Sequence, residues 1–102
     1  MNITRVQIHI NRGPDAKLKA FADIIIDDEF IVKGLAVREN FQGEHYVTQP
    51  YRLNTKADPA IRIDVAHPIT ESCRLYIEKT VIDEYENVLN KIEESKSAHT
   101  QT

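Results

Sequence analysis

The sequence predicts an α+β fold, in which an antiparallel sheet of four to five strands, arranged as a meander, is covered by one C-terminal helix. Most of the chain before residue 66 shows the two-residue alternation of apolar and polar side chains that is typical of strands. From residue 70 onward, apolar side chains instead recur at intervals of three and four, which is typical of a helix. The strand segments are joined by short connections, which favour antiparallel pairing of consecutive strands.

Five segments carry the strand pattern. Val6, Ile8 and Ile10 alternate with polar residues, as expected for a half-buried strand. In the next two segments, residues 17–26 and 30–38, apolar side chains stand at both odd and even positions, which indicates strands that are covered on both faces. Residues 51–60 contain Asn, Asp and Pro and are predicted to form a loop. The predicted strands span about residues 2–10, 17–26, 30–38, 45–49 and 61–66.

The helix is predicted over about residues 70–93. Thr70 is a suitable N-cap, and Glu71 suits the positive end of the helix dipole. Residues 95–102 are polar and aperiodic, so we predict a disordered tail there and a single domain over residues 1–94. The apolar stripe of the helix consists of Ile77, Val81, Tyr85, Val88 and Ile92.

A sheet with one helix leaves apolar side chains without cover. The helix can cover only one face of the sheet, whereas the second and third strands carry apolar groups on both. Exposed apolar surface of this kind usually belongs to an interface, so we predict a homodimer formed through the sheet. The residues expected to face water in a monomer are Phe21, Ile25, Ile31, Leu35 and Val37.

Composition limits the possible compartments and partners. The chain has 102 residues, 41% of them hydrophobic, and a net charge of −3. Cys73 is the only cysteine, which excludes an internal disulfide and a multi-cysteine zinc site. No apolar run reaches the ~20 residues of a membrane helix, and no signal-peptide pattern is visible, so we expect a cytoplasmic protein with no membrane partner. Residues 1–69 hold nine basic and nine acidic side chains, so the acidic excess lies in the C-terminal part.

The sequence contains no catalytic motif. Asp64 and His67 are three residues apart and resemble a base with its orienting carboxylate, but nothing supplies a nucleophile or a metal for a small hydrolase. We interpret Asp64, His67 and Pro68 as a structural junction between strand and helix. The acidic residues 27–29 are interpreted as a hairpin turn rather than a metal site. We therefore expect no enzyme, no cofactor and no small-molecule substrate.

Basic side chains around this junction are the candidates for contacts with nucleic-acid phosphates. Such binding needs several cations on one face, and the helix N-terminus could add N–H donors. Arg74 and Lys79 lie about 140° apart around a helix, so charge alone favours ordinary solvated side chains over a phosphate-binding face. Tyr46 and Tyr51 could stack on unpaired bases, or they could belong to the core or a dimer interface. The candidate cations are Arg52, Lys56, Arg62, Arg74 and Lys79.

Several segments, in order and at matching spacing over residues 1 to about 86, resemble the SpoVG family (stage V sporulation protein G, septation regulators). The best matching segment is DVAHPI at residues 64–69. The others are MNITRV at residues 1–6, KAFA at 19–22, DDEFIV at 27–32, Arg74, Ile77 and VIDEY at 81–85.

The resemblance implies a small dimeric α+β protein that binds DNA and, in some members, RNA. It implies a regulator of gene expression, cell division (septation) or sporulation, for example through transcription, and no enzymatic activity. The family's binding residues carry over to Arg62 and Arg74, and to a lesser degree to Arg52.

The chain departs from the family after Pro50. Family members usually carry Ser-Lys-Arg there and then a glycine turn, whereas this chain reads Tyr-Arg-Leu-Asn over residues 51–54 and has no glycine in the loop. The chain thus has one cation fewer, which suggests weaker binding or a different preference. A second hypothesis is therefore a protein-interaction module that regulates division or sporulation without binding nucleic acid.

Overall fold

The computed structural model describes the backbone of residues 1–100 and the side chains of residues 1–94. Over these residues the chain forms six strands followed by one helix, which confirms the α+β class. The strands are β1 (Ile3–Ile10), β2 (Leu18–Ile26), β3 (Phe30–Glu39), β4 (His45–Thr48), β5 (Tyr51–Asn54) and β6 (Ile61–Asp64), and the helix is α1 (Glu71–Thr100).

The first four strands form an antiparallel meander in the order β1-β2-β3-β4. The turn between β2 and β3 is tight, with Asp27 and Asp28 at φ values of 53° and 57°. Aspartate tolerates this left-handed conformation better than most residues because its short side chain can hydrogen-bond locally. The acidic connector is thus a hairpin turn.

The fifth and sixth strands form a separate two-stranded sheet. The prediction of a loop over residues 51–60 was wrong for its first part, because residues 51–54 form β5 and pair with β6. β6 therefore does not extend the meander as its fifth strand. Asn54 ends β5, and its side-chain Oδ1 accepts a hydrogen bond from the Lys56 N–H at 3.2 Å, which starts the turn between the two strands.

The core lies between one face of the meander and α1. Ala20 and Ala22 on β2 are fully buried, and their small side chains leave room for the bulky residues of the helix. Val6, Ile8 and Ile10 of β1 pack against the edge of this core, as their alternation predicted. The buried core residues are Ala20, Ala22, Ile24, Leu35, Val37, Ile77, Val81 and Tyr85.

A β-bulge in β3 explains why that strand carries apolar residues of both parities. Val32 pairs with Ile24 and Leu35 pairs with Ala22, so β3 uses one residue more than β2 between these pairs. Gly34 lies in this irregular stretch with φ of 89°, a conformation that glycine adopts at little cost. Val32 before the bulge and Leu35 after it, although three residues apart, therefore both point to the face of the sheet that α1 covers.

This bulge corrects part of the predicted exposed surface. Leu35 and Val37 do not face water but lie in the core under α1, each with 0% of its surface exposed. The other three residues lie on the face that α1 leaves open, as their pairing shows. Phe21 is 43% exposed, Ile31 is 42% exposed, and Ile25 is partly buried beside Ile31.

The helix begins at its predicted cap. The Thr70 Oγ1 accepts a hydrogen bond from the Cys73 N–H at 3.2 Å, which satisfies one of the free donors of the first turn. The helix extends to Thr100, past the predicted end near residue 93 and into the segment predicted to be a disordered tail. Residues 101 and 102, and the side chains of residues 95–102, lie outside the described residues. The core contacts of the described helix side chains reach as far as Leu89.

Candidate nucleic-acid interface

The β5–β6 hairpin (residues 51–64) projects from the rest of the molecule. Among the described residues it makes no extensive contact with the meander or with α1. Its base is held by Pro50, which is buried and whose carbonyl oxygen accepts a hydrogen bond from the Val65 N–H at 2.8 Å. Most of the hairpin side chains are exposed, including Leu53 and Ile61. This element therefore presents two faces to solvent.

The register of the hairpin separates the predicted cations. Arg52 pairs with Ile63, and Arg62 pairs with Leu53. Residues that pair directly across an antiparallel ladder share a face, and neighbours along a strand alternate. Arg52 and Arg62 therefore project from opposite faces of the ribbon, and Lys56 lies beyond the end of β5, in the turn. The hairpin offers a cation on each face rather than one basic patch.

Tyr51 and Arg62 form a contact that sequence analysis did not anticipate. The Arg62 guanidinium lies over the Tyr51 ring, with Cζ 4.2 Å from the ring centroid, in cation–π geometry. Asp64 pairs directly with Tyr51, so Arg62 reaches the ring diagonally across the ladder. The alternation of Tyr51 and Leu53 with Arg52 and Asn54 was the signal that could have revealed β5 and hence this pair.

The two candidate cations on α1, Arg74 and Lys79, each have an acidic partner, and they lie about 140° apart around the helix. The Arg74 Nη2 lies 3.9 Å from the Glu71 Oε1, and both side chains are exposed. The Lys79 Nζ donates a hydrogen bond to the Asp83 Oδ2 at 2.8 Å. This hydrogen bond and the negative charge of Asp83 raise the pKa of the Lys79 ammonium. Lys79 is thus charged but already engaged, whereas the long Arg74 contact is a weak one.

The candidate cations of the hairpin differ from Arg74 and Lys79 because they have no acidic partner among the described residues. Within the part of the chain that the structure describes, no carboxylate lies within ion-pair distance of Arg52, Lys56 or Arg62. All three side chains belong to exposed residues. Their positive charge is therefore available to an external anion.

Asp64, His67 and Pro68 connect the hairpin to the helix. The His67 Nδ1–H donates to the Pro68 carbonyl oxygen at 3.0 Å, so the ring binds backbone rather than the carboxylate. Asp64 and His67 are not hydrogen-bonded to each other among the described side chains. His67 and Pro68 also line an apolar cleft of about 150 Å³, with Ile24, Val32 and Cys73 on its other sides. His67 and Asp64 are therefore not arranged as a general base with an orienting carboxylate.

Two further features bear on possible ligands. No group of three or more His, Cys, Asp or Glu side chains that could hold a metal ion occurs among the described residues. Neither is there, in that part of the chain, a helix of the length and apolarity needed to cross a membrane.

Comparison with known proteins places the chain in a family. The SpoVG family model matches residues 1–87, which include all six strands and the first half of α1. A SpoVG septation protein of Phytoplasma australiense is 33% identical over 96 residues, which cover 94% of this chain and 95% of that protein. One from Clostridium perfringens strain 13 is 34% identical over 90 residues, covering 88% of this chain and 94% of the relative.

A third relative, from Clostridium novyi strain NT, is 34% identical over 91 residues, which cover 89% of this chain and 86% of that protein. Its name, like those of the other two, refers to septation rather than to an enzymatic activity. The match extends over nearly the whole chain in each case, and the family model includes the hairpin and the junction described above. The chain belongs to the SpoVG family.

Proposed function

We propose that this protein is a dimeric, cytoplasmic regulator of gene expression in septation or sporulation, and that it acts by binding DNA, with RNA as a second ligand. The observation that carries the proposal is the projecting hairpin, on which Arg52, Lys56 and Arg62 have no ion-pair partner among the described residues. Phosphate contacts need cations that are free to move to the ligand, and exposed, unpaired side chains meet that need.

Arg74 belongs to the proposed interface, and Lys79 contributes less. The Arg74–Glu71 contact is long and solvent-exposed, and such pairs are worth little, so a phosphate can displace Glu71. Lys79 must give up a 2.8 Å hydrogen bond to Asp83 before it can bind another anion. We rank Arg62 and Arg74 first because the family resemblance carries its binding residues to them, then Arg52 and Lys56, and Lys79 last because of its hydrogen bond to Asp83.

The proposal is tested by binding assays on charge-removal variants. Arg62→Ala and Arg74→Ala should each weaken binding to duplex and single-stranded probes several-fold, because each removes one cation that binds a phosphate. The slope of log affinity against log salt should flatten by about 0.7–0.9 in each variant. Arg12→Ala is the matched control, because Arg12 is exposed in the β1–β2 connection, outside the hairpin and the helix. Unchanged affinity in both test variants would reject these sites.

The dimer is proposed to form through the open face of the meander. Phe21, Ile25, Ile31 and Tyr46 give this face its apolar surface. Exposed apolar side chains that lie together on one face of a sheet usually mark an interface, which supports a dimer formed through this face.

Phe21→Ser should convert the dimer to monomer, measured by light scattering at micromolar concentration, because it removes a large apolar side chain from the interface. Phe41→Ser is the matched control. Phe41 is 97% exposed and lies in the β3–β4 turn, outside the strands that form the open face, so its substitution should leave the dimer intact. A wild-type protein that is monomeric at this concentration would contradict the proposed dimer.

The alternative is a protein-interaction module that regulates division without touching nucleic acid. The acidic excess of residues 70–102 supports it, since this segment holds seven acidic and four basic side chains. A gel shift with random duplex and single-stranded probes at low salt separates the two functions. Absence of any shift favours the interaction module.

A further inference from the structure

We propose that the Tyr51–Arg62 pair is a stacking site for an unpaired nucleobase, and hence that the ligand of the hairpin is single-stranded nucleic acid. This inference rests on the proposed nucleic-acid binding and specifies which kind of nucleic acid the hairpin binds. It concerns one face of the hairpin, formed by Tyr51 and Leu53 of β5 with Arg62 and Asp64 of β6.

The pair is assembled in the unbound protein. The Arg62 guanidinium already lies 4.2 Å above the Tyr51 ring, although both residues belong to an exposed ribbon. Tyr51 remains 40% exposed and Arg62 is exposed. The exposed part of the pair is open to a ligand, and bases stack on guanidinium planes as well as on aromatic rings. A base placed there would extend the existing Tyr–Arg stack.

The chemistry of this face suits a base better than a phosphate. Leu53 lies opposite Arg62 and is 56% exposed. Its apolar side chain has neither a charge nor a hydrogen-bond donor for a phosphate. The Asp64 carboxylate, opposite Tyr51, repels phosphates but can accept a hydrogen bond from a base. Base faces are hidden within a duplex and accessible in a single strand, so a stacking site selects unpaired nucleotides.

The phosphate contacts of the same strand come from elsewhere on the hairpin. Arg52 projects from the opposite face and Lys56 lies in the turn, and both are exposed. The Arg62 N–H groups still point outward in the guanidinium plane while its face is stacked, so Arg62 can contact a phosphate at its edge. A single strand that crosses the ribbon can thus meet a stacking platform and cations together. A two-stranded ribbon can also enter a duplex major groove, which is the competing arrangement.

The test uses fluorescence anisotropy of the full chain with three labelled probes at low salt. The probes are a 15-nucleotide oligo(dT), an abasic oligonucleotide of the same length and charge, and a 15-base-pair duplex. Wild-type protein should bind oligo(dT) at least about fivefold more tightly than the abasic strand. Tyr51→Leu should abolish this preference without changing affinity for the abasic strand, and Tyr51→Phe should retain it.

Phe41→Leu is the matched control. Phe41 is also an exposed aromatic residue with a cation over its ring, the Lys17 Nζ at 4.8 Å, but it lies in the β3–β4 turn. This variant should keep the wild-type preference for oligo(dT). Unchanged affinity of Tyr51→Leu for the abasic strand would show that the hairpin and its cations remain in place.

The outcomes separate the two proposals. Equal affinity of the wild-type protein for oligo(dT) and the abasic strand, or tighter binding of the duplex, would overturn the stacking site and leave phosphate binding intact. Absence of binding to all three probes would overturn the nucleic-acid function itself. Loss of the preference in Phe41→Leu would show that stacking occurs at another aromatic residue.

Discussion

In the meander, the alternating apolar residues of β2 and β3 lie under α1, whereas both faces of the β5–β6 hairpin are in contact with solvent. Leu35 is fully buried, while Leu53 is more than half exposed. A two-stranded ribbon is at best marginally stable by itself, because it has no layer to pack against. The meander and helix therefore supply the stability of the fold, and the hairpin depends on them for its position.

The two regions also differ in how their candidate cations are paired with carboxylates. Several cations of the meander and helix lie close to carboxylates, as in the pairs Lys19–Glu39 at 3.4 Å and Lys79–Asp83 at 2.8 Å. The hairpin cations Arg52 and Arg62 have no such partner in the described part of the chain. Exposed cations without a described carboxylate partner on this ribbon support its proposed role in binding an anionic ligand.

The same substitution in each region gives the largest expected contrast. Leu35→Ala should lower the free energy of unfolding by about 2–5 kcal/mol, because it leaves a cavity between the sheet and α1. Leu53→Ala should change it by no more than about 0.5 kcal/mol, because the side chain is largely in water already. Urea unfolding followed by circular dichroism measures both values. Similar destabilisation of the two variants would mean that the hairpin is packed in solution.

A smaller effect concerns the pH dependence of stability, and it arises in the core, where Tyr85 is buried. Burial of Tyr85 in the core raises the pKa of its hydroxyl above the ordinary value of 10.0, with smaller and opposing contributions from Lys19 and Glu39. As the pH rises, the unfolded chain then loses this proton before the folded protein does. The stabilising contribution is therefore complete below about pH 10 and is lost as the pH rises through the raised pKa.

Tyr85→Phe removes this titration. As the pH is raised from 7 to above 10, the wild type should lose more unfolding free energy than the variant does, because only the wild type has the Tyr85 hydroxyl. Chemical unfolding at a series of pH values measures the shift, and the value at pH 7 serves as the reference because the hydroxyl is neutral in both states there. A difference that stays constant with pH would contradict this description of Tyr85.

Much of the architecture was predictable because it depends on local patterns. The first four strands and the start of the helix fall close to their predicted positions, since alternation and the cap at Thr70 are local signals. The bulge at Gly34 was missed because a change of parity looks the same as a strand that is covered on both sides. Only the pairing of Leu35 with Ala22 distinguishes these two cases.

The candidate interface was predictable by residue type but not by arrangement. Arg52, Arg62 and Arg74 were selected for their charge near the junction and for the family resemblance, and neither criterion contains their geometry. Their relative orientation depends on β5, which is only four residues long and whose period-2 pattern is too short to outweigh the turn-forming residues that follow. The contact between Arg62 and Tyr51 follows from the register of that strand.

By itself, the sequence determined the α+β class, the order of the main strands, the position of the helix start and the family. These properties depend on periodicity and on short motifs, which act over a few residues. Tertiary structure alone decided which face Leu35 and Val37 occupy, that β6 pairs with β5 rather than with the meander, and that Tyr51 lies under Arg62. Each of these depends on pairing between distant strands, where a shift of one residue sends a side chain to the opposite face.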